Sequence, residues 1–305
     1  MRIKTSLVLI LGILAVSTAS LFIRYAQQGA PSLVIAFYRM GFTVLAITPV
    51  VLWKRRSEVR SLPAPGLFAM ILAGFFLAIH FYAWISSLEY TSVASSVVLV
   101  TTSPLWVTAL SPLVLKENPS RWLVAGLALA FSGMIIVAGS SLCNISQAGF
   151  NCQFTTISGG SNTSLGNFLA LVGALTGAGY LLIGRKIRQS VSLLVYTFIV
   201  YGSSAIFLLL FLLGQQIPVG GYSGNVLFWC LALALIPQLL GHTSFNYALK
   251  YLPAAFVSIA LLGEPVGSSI LAVIFLQEAP ALIEIAGSVL ILSGIVLSSL
   301  GSKAK

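Results

Sequence analysis

Six glutamates and two histidines, with no aspartate, supply nearly all the acid–base chemistry of this 305-residue chain. The acids are Glu58, Glu89, Glu117, Glu264, Glu278 and Glu284. Only Glu264 lies deep in an uncharged run, in LLGEPVGSS, between AAFVSIALL and SSILAVIFL. A carboxyl there is suited to binding a substrate ammonium or carrying a coupling proton. It is equally suited to a structural role. Pro265 has no N–H to give to the carbonyl of Leu261, so the backbone loosens, and the acid can hydrogen-bond a neighbouring helix. His80 and His242 are the other outliers. Residues four apart share a helix face, which groups Phe76, His80 and Trp84, and likewise Gln238, His242 and Asn246. The second stripe is poorly suited to lipid and reads as the lining of a cavity, with interhelix hydrogen bonding as the other reading. Arg39 either attracts a substrate carboxylate, snorkels to the outer interface or braces a helix, of which bracing is favoured. Tyr180 and Trp106 either face the same cavity or pack. No catalytic group is indicated: HExxH, an Asp pair and GxxxxGK[ST] are all absent. The histidines lack ligand spacing with Cys or acids, so neither a metal nor another cofactor is expected.

The elements that must position these groups follow from composition. Hydrophobic residues make up 58% of the chain and charged residues 7%, and mean hydropathy is +1.02. Soluble domains carry about a quarter charged residues, so the solvent is a lipid bilayer. Ten stretches are long and apolar enough to span one, at about 6–26, 32–53, 65–87, 92–115, 121–140, 165–184, 192–214, 225–248, 253–276 and 281–300. No barrel-like alternation is present, so these are helices. LVLILGILAVSTASLFI is too long for a typical signal h-region and is read as a retained helix. With the N-terminus inside, fourteen of the sixteen Lys and Arg fall in inner segments, Arg24 and Arg39 being the others. The positive-inside rule therefore puts both termini in the cytoplasm of a multi-pass cytoplasmic-membrane protein. The net charge of +10 is a topology signal, not a nucleic-acid surface. The longest outer loop holds Cys143 and Cys152, which are candidates for a disulfide in an oxidising compartment, with two free thiols as the alternative.

The chain is also written twice. Adding 161 to a residue number carries Gly12 to Gly173, Arg24 to Arg185, Pro104 to Pro265, Glu117 to Glu278, Gly126 to Gly287 and Gly133 to Gly294. Five spans per unit is odd, so the second unit enters the membrane from the opposite face. Inverted repeats of this kind commonly build transporters, with the site at the midplane between the halves. The division is 6–140, an outer loop 141–164, and 165–300.

SPLWVTALSPLVLKENPSRWLVAGLALAFSGMIIV and GEPVGSSILAVIFLQEAPALIEIAGSVLILSGIVL resemble the closing helices of the EamA repeat of the drug/metabolite transporter superfamily, and FYRMGF resembles its aromatic-x-Arg segment. The resemblance implies an all-α basket of ten helices around a cavity lined mainly by spans 1, 3, 4, 6, 8 and 9. It implies secondary transport of small polar or amphipathic metabolites, with export of amino acids or related compounds foremost. A nucleotide-sugar or sugar-phosphate exchanger and a non-transporting scaffold or receptor are the alternatives. Glu-Pro at this place in second repeats of differing substrate strengthens the structural reading of Glu264. The expected partners are a small-molecule substrate and the bilayer. Nucleic acid is not expected, and oligomeric state is left open.

Overall fold

Hydrocarbon supplies no hydrogen bonds, so a spanning chain closes its backbone bonds within each segment and folds as helices. A computed structural model describes residues 3–91, 96, 99–140, 143–146, 149–152, 162–267, 270–271 and 282–301. Among these, six helices are long and apolar enough to cross a membrane: Lys4–Gln27, Ser32–Lys54, Ala64–Tyr90, Thr163–Ile187, Leu193–Gly214 and Gly224–Ala248. Four shorter apolar helices, Ser103–Val114, Arg121–Ile136, Ala254–Gly267 and Ile285–Leu300, occupy the places of spans 4, 5, 9 and 10. Together they make the ten-helix membrane fold. The loop between spans 5 and 6 adds one departure from all-helical structure among the described residues, a hairpin of β1 (Cys143–Ser146) and β2 (Gly149–Cys152). Its antiparallel register sets Cys143 opposite Cys152.

Three spans expected as continuous helices are interrupted, each for an identifiable reason. Span 1 is divided into Ile3–Val16 and Ala19–Gln27. The hydroxyls of Ser17 and Thr18 bend back to the carbonyls of Ile13 and Ala15 at 2.7 and 2.8 Å, competing with the helical ladder. Span 8 carries a π-helical segment at Ala234–His242 around Pro237, whose missing N–H breaks the regular pattern. Span 9 tightens to a 3₁₀ turn at Leu261–Gly263, one residue before Glu264-Pro265.

Helix starts are managed with the scarce acids. The hydroxyl and backbone N–H of Ser32, at the start of span 2, both donate to Glu89, and the backbone N–H of Ser192, capping span 7, donates to Glu58 at 2.8 Å. In each repeat the second helix therefore begins beneath a carboxylate, which complements the positive end of its dipole. At the other ends, Arg185 donates to Glu117 at 2.8 Å and to the carbonyl of Leu249 at 2.8 Å, tying the ends of spans 4, 6 and 8 together. Glu278 and Pro280, the repeat partners of Glu117 and Pro119, lie outside the described residues.

The repeat is visible in how the halves meet. Span 1 packs on span 8, span 6 packs on span 3, and span 5 packs on span 10, so each of these contacts joins one repeat to the other. Between spans 5 and 10 a Cβ at Gly126 would lie 2.5 Å from the carbonyl of Gly294, and one at Gly133 would lie 2.5 Å from the carbonyl of Gly287. The 161-residue shift turns the first pair into the second. The pseudo-two-fold relating the repeats therefore runs through this helix pair, where small residues bring two backbones into van der Waals contact. Gly202, by contrast, has nothing within 4 Å of an added Cβ. Gly126→Ala and Gly294→Ala should each lower stability by about 1–3 kcal/mol through overpacking against backbone. Gly202→Ala should leave it unchanged or raise it, with melting of the detergent-solubilised protein as the measurement.

Candidate functional site

The interrupted spans converge. Val16 and Ala19 flank the break in span 1, Leu261, Leu262 and Glu264 flank that in span 9, and His242 ends the π segment of span 8. All six line one cavity, which spans 2, 3 and 4 complete. The hydroxyl of Ser17 donates to the backbone carbonyl of Glu264 at 3.0 Å, joining the two breaks directly. Pro265 leaves the carbonyl of Leu261 without its usual donor, and the backbone N–H of Glu264 takes that place in the 3₁₀ turn; breaks of this kind are tolerated in a membrane where local adjustment and other helices re-satisfy the backbone.

The polar lining is sparse: Arg39, His80, Thr101, Ser103, His242, Ser258 and Glu264, with Trp84 beside them. Cavities with apolar walls and a few fixed polar groups are what small-molecule sites look like. His80 is oriented by span 6. Its Nδ1 lies 2.7 Å from the carbonyl of Gly173. A carbonyl oxygen only accepts, so Nδ1 carries the proton and Nε2 is left as an acceptor. A Cβ at Gly177 would come within 2.8 Å of that Nδ1, so the ring occupies space only a glycine leaves. Trp84 lies nearly parallel to it, with ring centroids 6.2 Å apart.

Phe81, which the sequence did not single out, is a second hub, meeting His80 edge-on at 4.9 Å. The guanidinium of Arg39 sits 4.0 Å from the centre of its ring, and His242 meets it edge-on at 5.2 Å. Arg39 is wholly buried, its Nε donating to Oε1 of Gln238 at 2.9 Å. It does not snorkel to an exposed end of the bundle. Nor does the spacing-four stripe of span 8 stay on one surface. The π segment widens the turn, so of the three residues His242 lines the cavity while Gln238 turns to Arg39.

Asn246 belongs to a second polar layer behind the cavity. It accepts from the hydroxyl of Tyr180 at 2.6 Å and donates from Nδ2 to the hydroxyl of Tyr201 at 2.9 Å, and Tyr201 lies 3.3 Å from the hydroxyl of Thr243. Spans 6, 7 and 8 are thereby joined. Tyr201 had no distinguishing signal in FIVYGSSAI; only partners on other helices identify it. Ser17 did have one, since VSTAS is a run of small polar residues inside an apolar span. Trp106 is 40% exposed on the outside of the bundle and does not line the cavity. Among the described residues no group of three or more His, Cys or acids stands together as metal ligands would. Cavity lining thus comes from spans 1, 2, 3, 4, 8 and 9. Span 6 contributes by orienting His80 and through Tyr180, not as a wall.

The pattern of the EamA-like transporter family matches residues 3–139 and, a second time, residues 164–300. The chain belongs to the EamA-like transporter family. It is a multi-pass membrane protein, and each family repeat coincides with five of its spans. Two Archaeoglobus fulgidus proteins named uncharacterized transporters are similar to it. One is 24% identical over 98% of each chain, the other 24% identical over 95% of this chain and 94% of its own. An uncharacterized transporter of Bacillus subtilis, YyaM, is 26% identical over 70% of this chain and 66% of its own. A solved crystal structure superposes with a TM-score of 0.76 at 18% identity over 98% of both chains, which establishes that the EamA-like fold is shared.

Members of the second polar layer of this transporter differ in what their loss should do. Asn246→Leu breaks the hydrogen bonds to both Tyr180 and Tyr201 at once, and buried polar groups left short of a partner cost about 1–3 kcal/mol. Tyr180→Phe removes one hydroxyl and strands only one acceptor. Chemical or thermal melting should therefore show a clearly larger loss for Asn246→Leu than for Tyr180→Phe.

Proposed function

We propose that this EamA-like transporter is a secondary active carrier of small polar or amphipathic metabolites in the cytoplasmic membrane, with export of amino acids or related compounds as its task. The observation that carries the reading is the position of the cavity. It lies where broken helices from both repeats meet, which is where alternating access by rocking of two halves requires a site. Among the described residues its one carboxyl, Glu264, and its one guanidinium, Arg39, suit a small zwitterion better than a phosphorylated sugar, which would demand several cations. His80 Nε2 supplies a further acceptor. Glu264 is assigned to an ammonium group or to a coupling proton, and Gln238, His242 and Asn246 to the layer that shapes the site. Trp84 closes one side, and Tyr180 stands with Asn246 in the layer behind.

No nucleotide-binding motif accompanies the spans, so the energy source in this reading is an ion gradient or exchange. Both termini are assigned to the cytoplasm from the distribution of Lys and Arg. The hairpin is then extracytoplasmic, where Cys143 and Cys152, opposite each other in register, are assigned to a disulfide.

Two experiments test these assignments. Proteoliposomes loaded with labelled amino acids, polyamines, nucleosides or sugar phosphates should lose at least one of them faster than empty-vector controls. Glu264→Gln should reduce that flux at least tenfold. Flux of none of the compounds overturns the reading; flux unaffected by Glu264→Gln returns that residue to a structural role. Alkylation of whole cells without reductant should leave Cys143 and Cys152 unmodified, and reduction should expose both. Free labelling of either before reduction contradicts the disulfide.

A further inference from the structure

Arg39 carries five N–H donors on a planar fork. One, on Nε, is used by Gln238, and the flat face is used by Phe81. Nη1 and Nη2 are buried and meet no acceptor among the described residues. The ion pairs within 4.0 Å among those residues are Arg55 with Glu58 and Arg185 with Glu117, so no carboxylate is paired with Arg39. Glu264 acts on Arg39 electrostatically from beyond ion-pair distance but takes none of its Nη donors, and a brace alone would not leave buried donors unmet. Gln238 and Phe81 hold the guanidinium by its stem side and one face. Its terminal edge is thus fixed in place with its donors unspent, in a side chain that lines the cavity.

We propose that this edge is a carboxylate-binding subsite: Nη1 and Nη2 take the two oxygens of the substrate's carboxylate in a bidentate fork, the geometry at which arginine excels. The assignment deepens the transport reading above and rests on it. It also sets an orientation. The carboxylate lies against spans 2 and 8, and an amine on the same molecule faces Glu264 or Nε2 of His80 across the cavity. Val16, Ala19 and Leu262 offer an apolar wall to the remainder. Trp84, whose indole N–H is also buried and unpartnered, supplies another donor to the lining. Substrates lacking a carboxylate leave the fork unpaired and are rejected for that reason, as sites built around hydrogen bonds reject analogues without them.

The test compares each of the twenty standard amino acids with its own C-terminal amide, by thermal stabilisation of the purified full-length protein. The amide preserves side chain, amine and shape and removes only the anionic end. At least one amino acid should stabilise, and its amide should bind about 10- to 100-fold more weakly, the range for a lost charge-assisted pair. In Arg39→Gln the acid and the amide should become indistinguishable, whereas Arg39→Lys should keep part of the preference. Should Arg39→Gln fail to fold, the acid-to-amide ratio in the unaltered protein still decides. Equal binding of acid and amide overturns the subsite, as does a folded Arg39→Gln that still prefers the acid. A protein that binds or moves polyamines, nucleosides or sugars but no amino acid overturns it too, while leaving the transport reading intact. Absence of flux for every compound defeats the transport reading itself.

Discussion

A polar group inside a bilayer must find its partner within the protein, and that requirement organises this molecule more than any single contact. Many of the hydrogen-bonding side chains described within the spans are spent on a carbonyl of their own helix or on a neighbouring helix. Thr43 illustrates both: its hydroxyl donates to the carbonyl of Arg39 at 2.7 Å and lies 3.1 Å from that of Ala234 in the π segment. Where the helices break, the freed backbone must be covered, and the breaks are therefore gathered in one place instead of being scattered over lipid-facing surfaces. The cavity follows from that gathering. The same irregularities that would be intolerable on the outside make a polar hollow at the seam between the repeats.

Association of the halves has a different origin. Lipid tails are as apolar as leucine, so burial of apolar surface between helices provides little driving force, and close backbone contact takes its place. The pairs Gly126–Gly294 and Gly133–Gly287 supply that contact between spans 5 and 10, and the repeat relates one pair to the other. Spans 1 and 6 use their matched glycines similarly, Gly12 against Ser244 and Gly173 against Trp84. The tight seams are built from glycine, while the cavity is built from the few large polar groups. Two distinct classes of residue thus hold the repeats together and separate them.

Much of this was legible before any coordinates. Ten spans, the pairing of repeats and the importance of Gly126, Gly133 and their mates follow from apolar run lengths and from one numerical shift, because both are properties of sequence order alone. The side-chain network was less legible. A spacing of four assumes regular α-helix, and the π segment around Pro237 violates that assumption at the very residues the stripe included, so Gln238 and His242 part ways. Phe81 and Tyr201 are ordinary aromatic residues in apolar runs until a guanidinium or an amide from another helix meets them. Arg39 was ambiguous for a related reason: burial, snorkelling and ligation differ only in what surrounds the head group. The 161-residue shift carries Arg39 to Val200 and Glu264 to Ser103, so the repeats agree on architecture and disagree on charge.

That disagreement bears on how one cavity can face two sides of a membrane. Duplicated helices can exchange conformations between the halves because their packing residues are duplicated as well. A substrate site, however, need not be symmetric, and an oriented ligand cannot bind well to a symmetric one. Placing the guanidinium on the first repeat and the carboxyl on the second gives the cavity a direction along the axis that crosses the seam. A zwitterion bridging the two charges would contact both repeats at once, so its binding energy would depend on their relative position. In the transport reading proposed above, coupling of occupancy to rocking needs no separate relay: differential contact in the two states would be the coupling.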